Sequence, residues 1–117
     1  MKTILVVEDE ASLRVLLEHE LIEMGYAVLL SANGKEAIKA IRKKTPDLVI
    51  LDIMMPEMDG LETLREILNE EKKIPVIINS AYSHYKDNFL TWAAEGYVVK
   101  SSDLSELKAT VQKYLQD

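Results

Sequence analysis

The segment Leu48-Val49-Ile50-Leu51-Asp52 is a short apolar run that ends on a carboxylate. Three other segments are built in the same way: residues 4–9 end on two acids, residues 76–80 on a serine and residues 98–100 on a lysine. Short β-rich runs separated by helix-length amphipathic segments predict strands of a parallel sheet that is buried on both faces. Ligands of such open α/β sheets bind outside the carboxyl ends of the strands. We therefore expect these polar side chains to share one rim of the sheet.

The whole chain alternates between strand-length and helix-length segments. The predicted strands are 3–8, 27–30, 47–52, 75–80 and 97–100. The predicted helices are 11–24, 34–44, 60–70, 84–94 and 104–115. Asn33 followed by Glu36 has the spacing of a capping box, and Gly25 lies where a helix ends most easily on glycine. The pattern predicts an α/β fold in which a doubly wound, five-stranded parallel sheet carries helices on both faces.

Composition limits the function. The 117 residues form one expected domain, 1–117, and the absence of cysteine excludes disulfides and thiolate metal sites. The net charge of −6, without a basic stripe, argues against direct binding of nucleic acid by this domain. The apolar run after the N-terminus is too short to span a membrane, so we expect no membrane association and a cytoplasmic location.

The acids at the rim indicate a metal site. Glu8 and Asp9 alone are equally well explained as acids at the positive end of a helix. Asp52 ends the most hydrophobic strand, and Ile-Met-Met-Pro follows it, so it does not cap a helix directly. Three carboxylates at one rim would repel each other without a cation, and their oxygens suit Mg²⁺, which pairs with phosphate. Lys100 and Ser80 could each contact a phosphate oxygen, although a surface lysine and a turn serine are the ordinary explanations.

Taken together, these residues resemble a family over essentially the whole chain. The matching pieces are Glu8-Asp9, Asp52 to Pro56 with Asp59-Gly60 behind it, Ser80-Ala81 and Tyr97-x-x-Lys100. The chain resembles a receiver domain of bacterial two-component response regulators, of the single-domain chemotaxis or phosphorelay type. The resemblance implies a flavodoxin-like three-layer sandwich that acts as a phosphoacceptor signalling domain and is not an enzyme, apart from slow autodephosphorylation.

The resemblance also implies residue roles and partners. The implied catalytic residues are Asp52, which accepts the phosphoryl group, and Lys100 and Ser80, which contact its oxygens. Mg²⁺ would be held by Glu8, Asp9, Asp52 and the main-chain carbonyl of Met54. Ser80 and Tyr97 would form the switch. The implied partners are a sensor histidine kinase or a histidine phosphotransfer protein, and a downstream protein target.

Two features depart from the usual pattern of the family. Ser101 follows Lys100 where the family commonly has proline behind a cis bond, and a Lys-Ser bond is expected to be trans because cis costs about 2.5–4 kcal/mol. Ser80 replaces the more frequent threonine but keeps the hydroxyl.

The first helix has more apolar residues than one buried face needs. We expect all of them in the core. The alternative is that Leu13 or Leu16 forms an exposed docking patch for the phosphodonor.

Two other functions fit parts of the pattern. A Mg²⁺-dependent phosphohydrolase also uses an aspartate nucleophile, but this chain lacks a cap domain and has Met54 where such an enzyme has a second aspartate. A flavin- or nucleotide-binding domain shares the topology, but no glycine-rich loop follows the first strand. Accumulation of phospho-Asp52, turnover of small phosphoesters and cofactor absorbance would distinguish these functions.

Overall fold

The computed structural model describes residues 1–53, 60–70, 73–81 and 94–115. The five strands are β1 (Thr3–Val7), β2 (Ala27–Ser31), β3 (Leu48–Leu51), β4 (Val76–Ser80) and β5 (Gly96–Val99). The helices within the described part are α1 (Ala11–Glu23), α2 (Gly34–Lys43), α3 (Gly60–Leu68) and α4 (Ser105–Leu115). The predicted helix 84–94 lies, except for its last residue, outside the described residues.

All five strands are parallel, in the order β2-β1-β3-β4-β5. The central strands β1, β3 and β4 are buried along their whole length, whereas the edge strands β2 and β5 are only partly buried. This difference follows from the fold, because central strands are covered on both faces and paired on both sides.

Helices cover both faces of the sheet, and the predicted doubly wound α/β architecture is confirmed. Helices α2 and α3 pack on one face and α1 and α4 on the other. Two predicted helix ends are also present: the Asn33 side chain accepts from the Glu36 N–H at 2.9 Å, and Gly25 has a φ of 96°. The positive φ is accessible to glycine without a steric cost.

The strand boundaries need one correction that affects the site. The predicted strands included Glu8, Asp52 and Lys100, but β1, β3 and β5 end one residue earlier, at Val7, Leu51 and Val99. The three ionisable residues are therefore the first residues beyond the strands. Their side chains leave the sheet at the same rim, where they can face one another.

Candidate phosphoacceptor and metal site

Glu8 and Asp52 are neighbours because β1 and β3 are neighbours. Val7 is in register with Leu51, so the next residue on each strand lies at the same level of the rim. The Asp52 N–H donates to the Val7 carbonyl at 3.0 Å and continues the strand pairing by one step. Only 1% of Glu8 and 3% of Asp52 is exposed. Two carboxylates buried this deeply require compensating charge or hydrogen bonds.

Lys100 supplies that compensation. Its Nζ lies 2.8 Å from Oε1 of Glu8 and 3.0 Å from Oδ2 of Asp52, so a single ammonium bridges both acids. The lysine side chain is 21% exposed, which limits solvent screening of the two contacts. The bond between Lys100 and Ser101 is trans, as expected for a residue other than proline. The Glu8 contact was not predicted from the sequence, which suggested Asp52 or a phosphate as the partner.

Burial and charge shift two pKa values in this cluster. Burial raises the pKa of the Glu8 carboxyl above its ordinary 4.5; the hydrogen bonds from Lys100 and the Glu10 N–H oppose this, and the charge of Asp52 reinforces it. Burial alone would lower the pKa of Lys100. Its hydrogen bonds to Glu8 and Asp52 and their charges outweigh burial and hold that pKa above its ordinary 10.5. Lys100 is therefore fully charged at neutral pH.

Asp9 completes a group of carboxylates that fits a divalent cation. One ligand oxygen from each of Glu8, Asp9 and Asp52 lies within 4.8 Å of the others. Asp9 is exposed, so the group is open to solvent on one side. Hard oxygen donors with room for water are what Mg²⁺ requires, and the chemistry of the donor set therefore fits this ion. Met54, the fourth predicted ligand, lies outside the described residues.

Ser80 and Tyr97 lie on the neighbouring strands β4 and β5. Ser80 is fully buried at the end of β4, and its carbonyl accepts from the Lys100 N–H at 2.7 Å. Tyr97 is in register with Ile78 and is partly buried against the core beneath α2 and α3. The two predicted switch residues therefore occupy adjacent strands, and Ser80 is joined through the main chain to Lys100.

Arg14, in the first turns of α1, is a contact of the site that the sequence analysis missed. Its Nη1 donates to the main-chain carbonyl of Glu8 at 2.8 Å and makes a longer contact of 3.4 Å with the carbonyl of Asp9. Its spacing from Glu8, six residues along the chain, matches no familiar motif. The available signal was a basic residue close to the start of a helix that follows an acidic turn.

The expectation that every apolar residue of α1 is in the core is wrong. Leu17 and Leu21 are buried and Leu13 is partly buried, but Val15 is 58% and Leu16 45% exposed. Ile22 is 53% exposed. One face of the helix suffices to cover the sheet, so the remaining apolar side chains point to solvent. This outcome agrees with the alternative that Leu16 remains exposed.

Among the described residues, no helix combines the length and apolar character needed to cross a membrane.

Comparison with known proteins identifies the family. The family model "Response regulator receiver domain" matches residues 4–112. A probable transcriptional regulator, ycf27, from Pyropia yezoensis is 42% identical over 115 residues, which are 97% of this chain and 47% of the relative. The chain thus spans about half the length of the curated relatives it matches.

Two crystal structures from Thermotoga maritima are also similar. The response regulator TrrA in complex with Mg²⁺-BeF has a TM-score of 0.94 and 49% identity, over 98% of this chain and 100% of that one. The complex of TrrA with the histidine kinase ThkA gives 0.92 and 48%, over 99% and 100%. The strand order, the acidic rim and these similarities agree, and this chain belongs to the response regulator receiver domain family.

Proposed function

We propose that Asp52 accepts a phosphoryl group from a phosphohistidine on a sensor histidine kinase or a histidine phosphotransfer protein. An oxygen of the Asp52 carboxylate bonds to phosphorus while the bond from phosphorus to the histidine nitrogen breaks. The products are an aspartyl phosphate and an unphosphorylated histidine. The observation that carries the proposal is the Lys100 ammonium, held 3.0 Å from the Asp52 carboxylate at the rim of the sheet.

The residues around Asp52 have complementary parts in this transfer. Phosphoryl transfer needs positioning and positive charge more than covalent chemistry, because negative charge spreads over the phosphoryl oxygens in the transition state. Lys100 provides a full positive charge, and the Ser80 hydroxyl provides a hydrogen-bond donor. Mg²⁺, held by Glu8, Asp9, Asp52 and the Met54 carbonyl, would supply further neutralisation of that charge.

The signal is then read by another protein. A phosphorylated aspartate adds about −1.5 to −2 charges beside Lys100, and Ser80 and Tyr97 form the switch that reports this change. The exposed Leu16 and the partly buried Leu13 form the docking patch for the phosphodonor. The similar TrrA forms a complex with the histidine kinase ThkA, which supports a kinase as the partner. A downstream protein target, and not nucleic acid, binds the switched face.

The protein acts as a signalling domain, and slow autodephosphorylation returns it to the resting state. We place it in the cytoplasm, because a histidine kinase obtains its phosphoryl group from cytoplasmic ATP. Residues 1–117 act as one receiver unit, whether alone or within a longer regulator.

Phosphorylation by a small donor tests the proposal. With acetyl phosphate and Mg²⁺, intact mass spectrometry is expected to show one added phosphoryl group on the wild type and none on Asp52→Asn. Asp47→Asn is the matched control, because Asp47 precedes the same strand at its opposite end and accepts a hydrogen bond from the Thr3 N–H. Equal phosphorylation of Asp52→Asn and the wild type would refute the assignment.

A further inference from the structure

The turn between β1 and α1 carries two of the proposed metal ligands but little regular hydrogen bonding of its own. Strand β1 ends at Val7 and helix α1 begins at Ala11, so the main chain of Glu8 and Asp9 lies between the two elements. The first carbonyl with a helical partner is that of Glu10, which accepts from the Arg14 N–H at 2.9 Å, so the carbonyls of Glu8 and Asp9 precede the helical hydrogen bonds. The conformation of this main chain also sets the positions of the two carboxylates, because the side chains of Glu8 and Asp9 extend from it.

Glu8 is nevertheless held at each of its polar groups. Its N–H donates to the Ser31 carbonyl at 3.0 Å, which continues the pairing of β1 with β2. Its Oε2 accepts from the Glu10 N–H at 3.1 Å, and its Oε1 accepts from Lys100 at 2.8 Å. The remaining group, the main-chain carbonyl, accepts from Nη1 of Arg14 at 2.8 Å. The same nitrogen lies 3.4 Å from the carbonyl of Asp9, so Arg14 spans both peptide groups.

We propose that Arg14 is a positioning residue for the cation site: it fixes the Glu8–Asp9 turn so that both carboxylates face Asp52 before the ion binds. The inference rests on the proposed function, because it assigns Arg14 to the Mg²⁺ site of that reaction. Arg14 acts through the main chain and does not touch the reacting atoms. Within the described part of the chain, the hydrogen bonds of its guanidinium are to these two carbonyls and not to a carboxylate.

The charge of Arg14 and its geometry have opposite effects on cation binding, which makes the proposal testable. A fixed positive charge close to the acids repels Mg²⁺, so removing the charge alone would tighten binding. Removing the hydrogen bonds leaves the turn less ordered before the ion binds. Ordering the turn then reduces the net free energy of Mg²⁺ binding, which weakens binding. Weaker Mg²⁺ binding after loss of Arg14 therefore cannot result from its charge.

The experiment compares Arg14→Met, Arg14→Lys and the control Arg42→Met. Methionine keeps much of the apolar stem but removes the donors and the charge, whereas lysine keeps the charge on a flexible ammonium that is more strongly hydrated. Arg42 contacts Glu70 at 3.1 Å, near the end of α2, and its loss changes the net charge equally. Mg²⁺ dissociation constants are measured by NMR titration of the Glu10 main-chain amide, which donates to Glu8. This measurement does not depend on phosphorylation.

We expect Arg14→Met to raise the Mg²⁺ dissociation constant about tenfold, at the lower end of what loss of an outer-shell partner costs. Arg14→Lys should give a smaller rise, and Arg42→Met should match the wild type. The phosphorylation rate of Arg14→Met should recover at saturating Mg²⁺, whereas a merely misfolded variant would stay slow at every concentration. Unchanged or tighter binding in Arg14→Met would overturn the proposal. That result would leave the proposed function intact as long as Asp52→Asn abolishes phosphorylation.

Discussion

Replacing Lys100 by methionine should lower the free energy of unfolding, because Glu8 and Asp52 then lose the positive charge that they share. The change removes the one ammonium that lies 2.8 Å from Glu8 and 3.0 Å from Asp52, and leaves two carboxylates that are 1% and 3% exposed. Removing one partner of a buried ion pair costs about 3–5 kcal/mol, because the remaining charge stays buried after its counter-ion is lost. Lys100 is at the rim, so we expect a value at the lower end, about 3 kcal/mol. For a domain of this size, that corresponds to a melting temperature lower by about 12 °C.

The assay is urea unfolding of the Lys100→Met variant in the presence of a chelator, and again with Mg²⁺. Lys108→Met is the matched control, because it removes the same charge from a more exposed pair with Glu20 and exposed pairs contribute little. A cation that binds only the folded state stabilises it by mass action. Mg²⁺ should therefore stabilise Lys100→Met more than the wild type, in which the ion competes with the ammonium for the same oxygens.

The pH dependence of the stability of Lys100→Met tests whether the loss of stability comes from the charge of Glu8. The pKa of Glu8 is already raised by burial, and loss of the hydrogen bond from Lys100 removes the strongest influence that lowers it. A carboxyl whose pKa is higher in the folded than in the unfolded state binds a proton more tightly when the protein is folded. Stability therefore increases as the pH falls towards the pKa of the unfolded state. The deficit of Lys100→Met should therefore shrink as the pH falls through the raised pKa of Glu8 towards the ordinary value of 4.5. If Lys100→Met is as stable as Lys108→Met in chelator, the argument fails.

Two further predictions concern the fold. A Cβ at Gly60 would lie 2.0 Å from Cα of Ile53, so Gly60→Ala should lower the unfolding free energy, measured by urea titration, by about 3 kcal/mol or more. A Cβ at Gly25 meets open space, although the φ of this residue is 96°, so Gly25→Ala should lower the unfolding free energy by only about 1 kcal/mol. The hydrogen bond from Lys108 lowers the pKa of Glu20, so this pair adds stability above pH 4.5 that is lost as the pH falls through the lowered pKa. The difference in unfolding free energy between the wild type and Glu20→Gln should therefore disappear in acid, and a difference that persists there would contradict the assignment.

The strands and the acidic rim could be predicted because parallel sheets impose strong rules. A central strand is apolar throughout, so the run from Leu48 to Leu51 is recognisable without its neighbours. The first polar residue after each run then falls at the same edge, which brings Glu8 and Asp52 together as expected. The position of Asn33 as a helix cap was equally predictable, because a cap depends on residues that are close in sequence.

The unpredicted features depend on three-dimensional contacts that leave no local pattern. Helix α1 has apolar residues on several sides, so its sequence does not indicate that Val15 and Ile22 face solvent while Leu17 is buried. Arg14 reaches back to a carbonyl six residues earlier, and a carbonyl is present at every residue, so no side-chain motif marks the contact. The contact between Lys100 and Glu8 spans β5 and β1, which are separated by two strands in the sheet.

The resting contacts of Lys100 also indicate how a phosphoryl group on Asp52 would change the site. The ammonium is shared between Glu8 and Asp52, so a phosphorylated Asp52 with additional negative charge would compete with Glu8 for it. The main chain of Lys100 is joined to β4, because the Lys100 N–H donates to the Ser80 carbonyl at 2.7 Å. Tyr97 lies three residues before Lys100 on the strand that pairs with β4. We infer that charge at Asp52 reaches the predicted switch residues through this β4–β5 connection. Glu8 would then keep the hydrogen bond from the Glu10 N–H, and the cation would replace the charge of the ammonium.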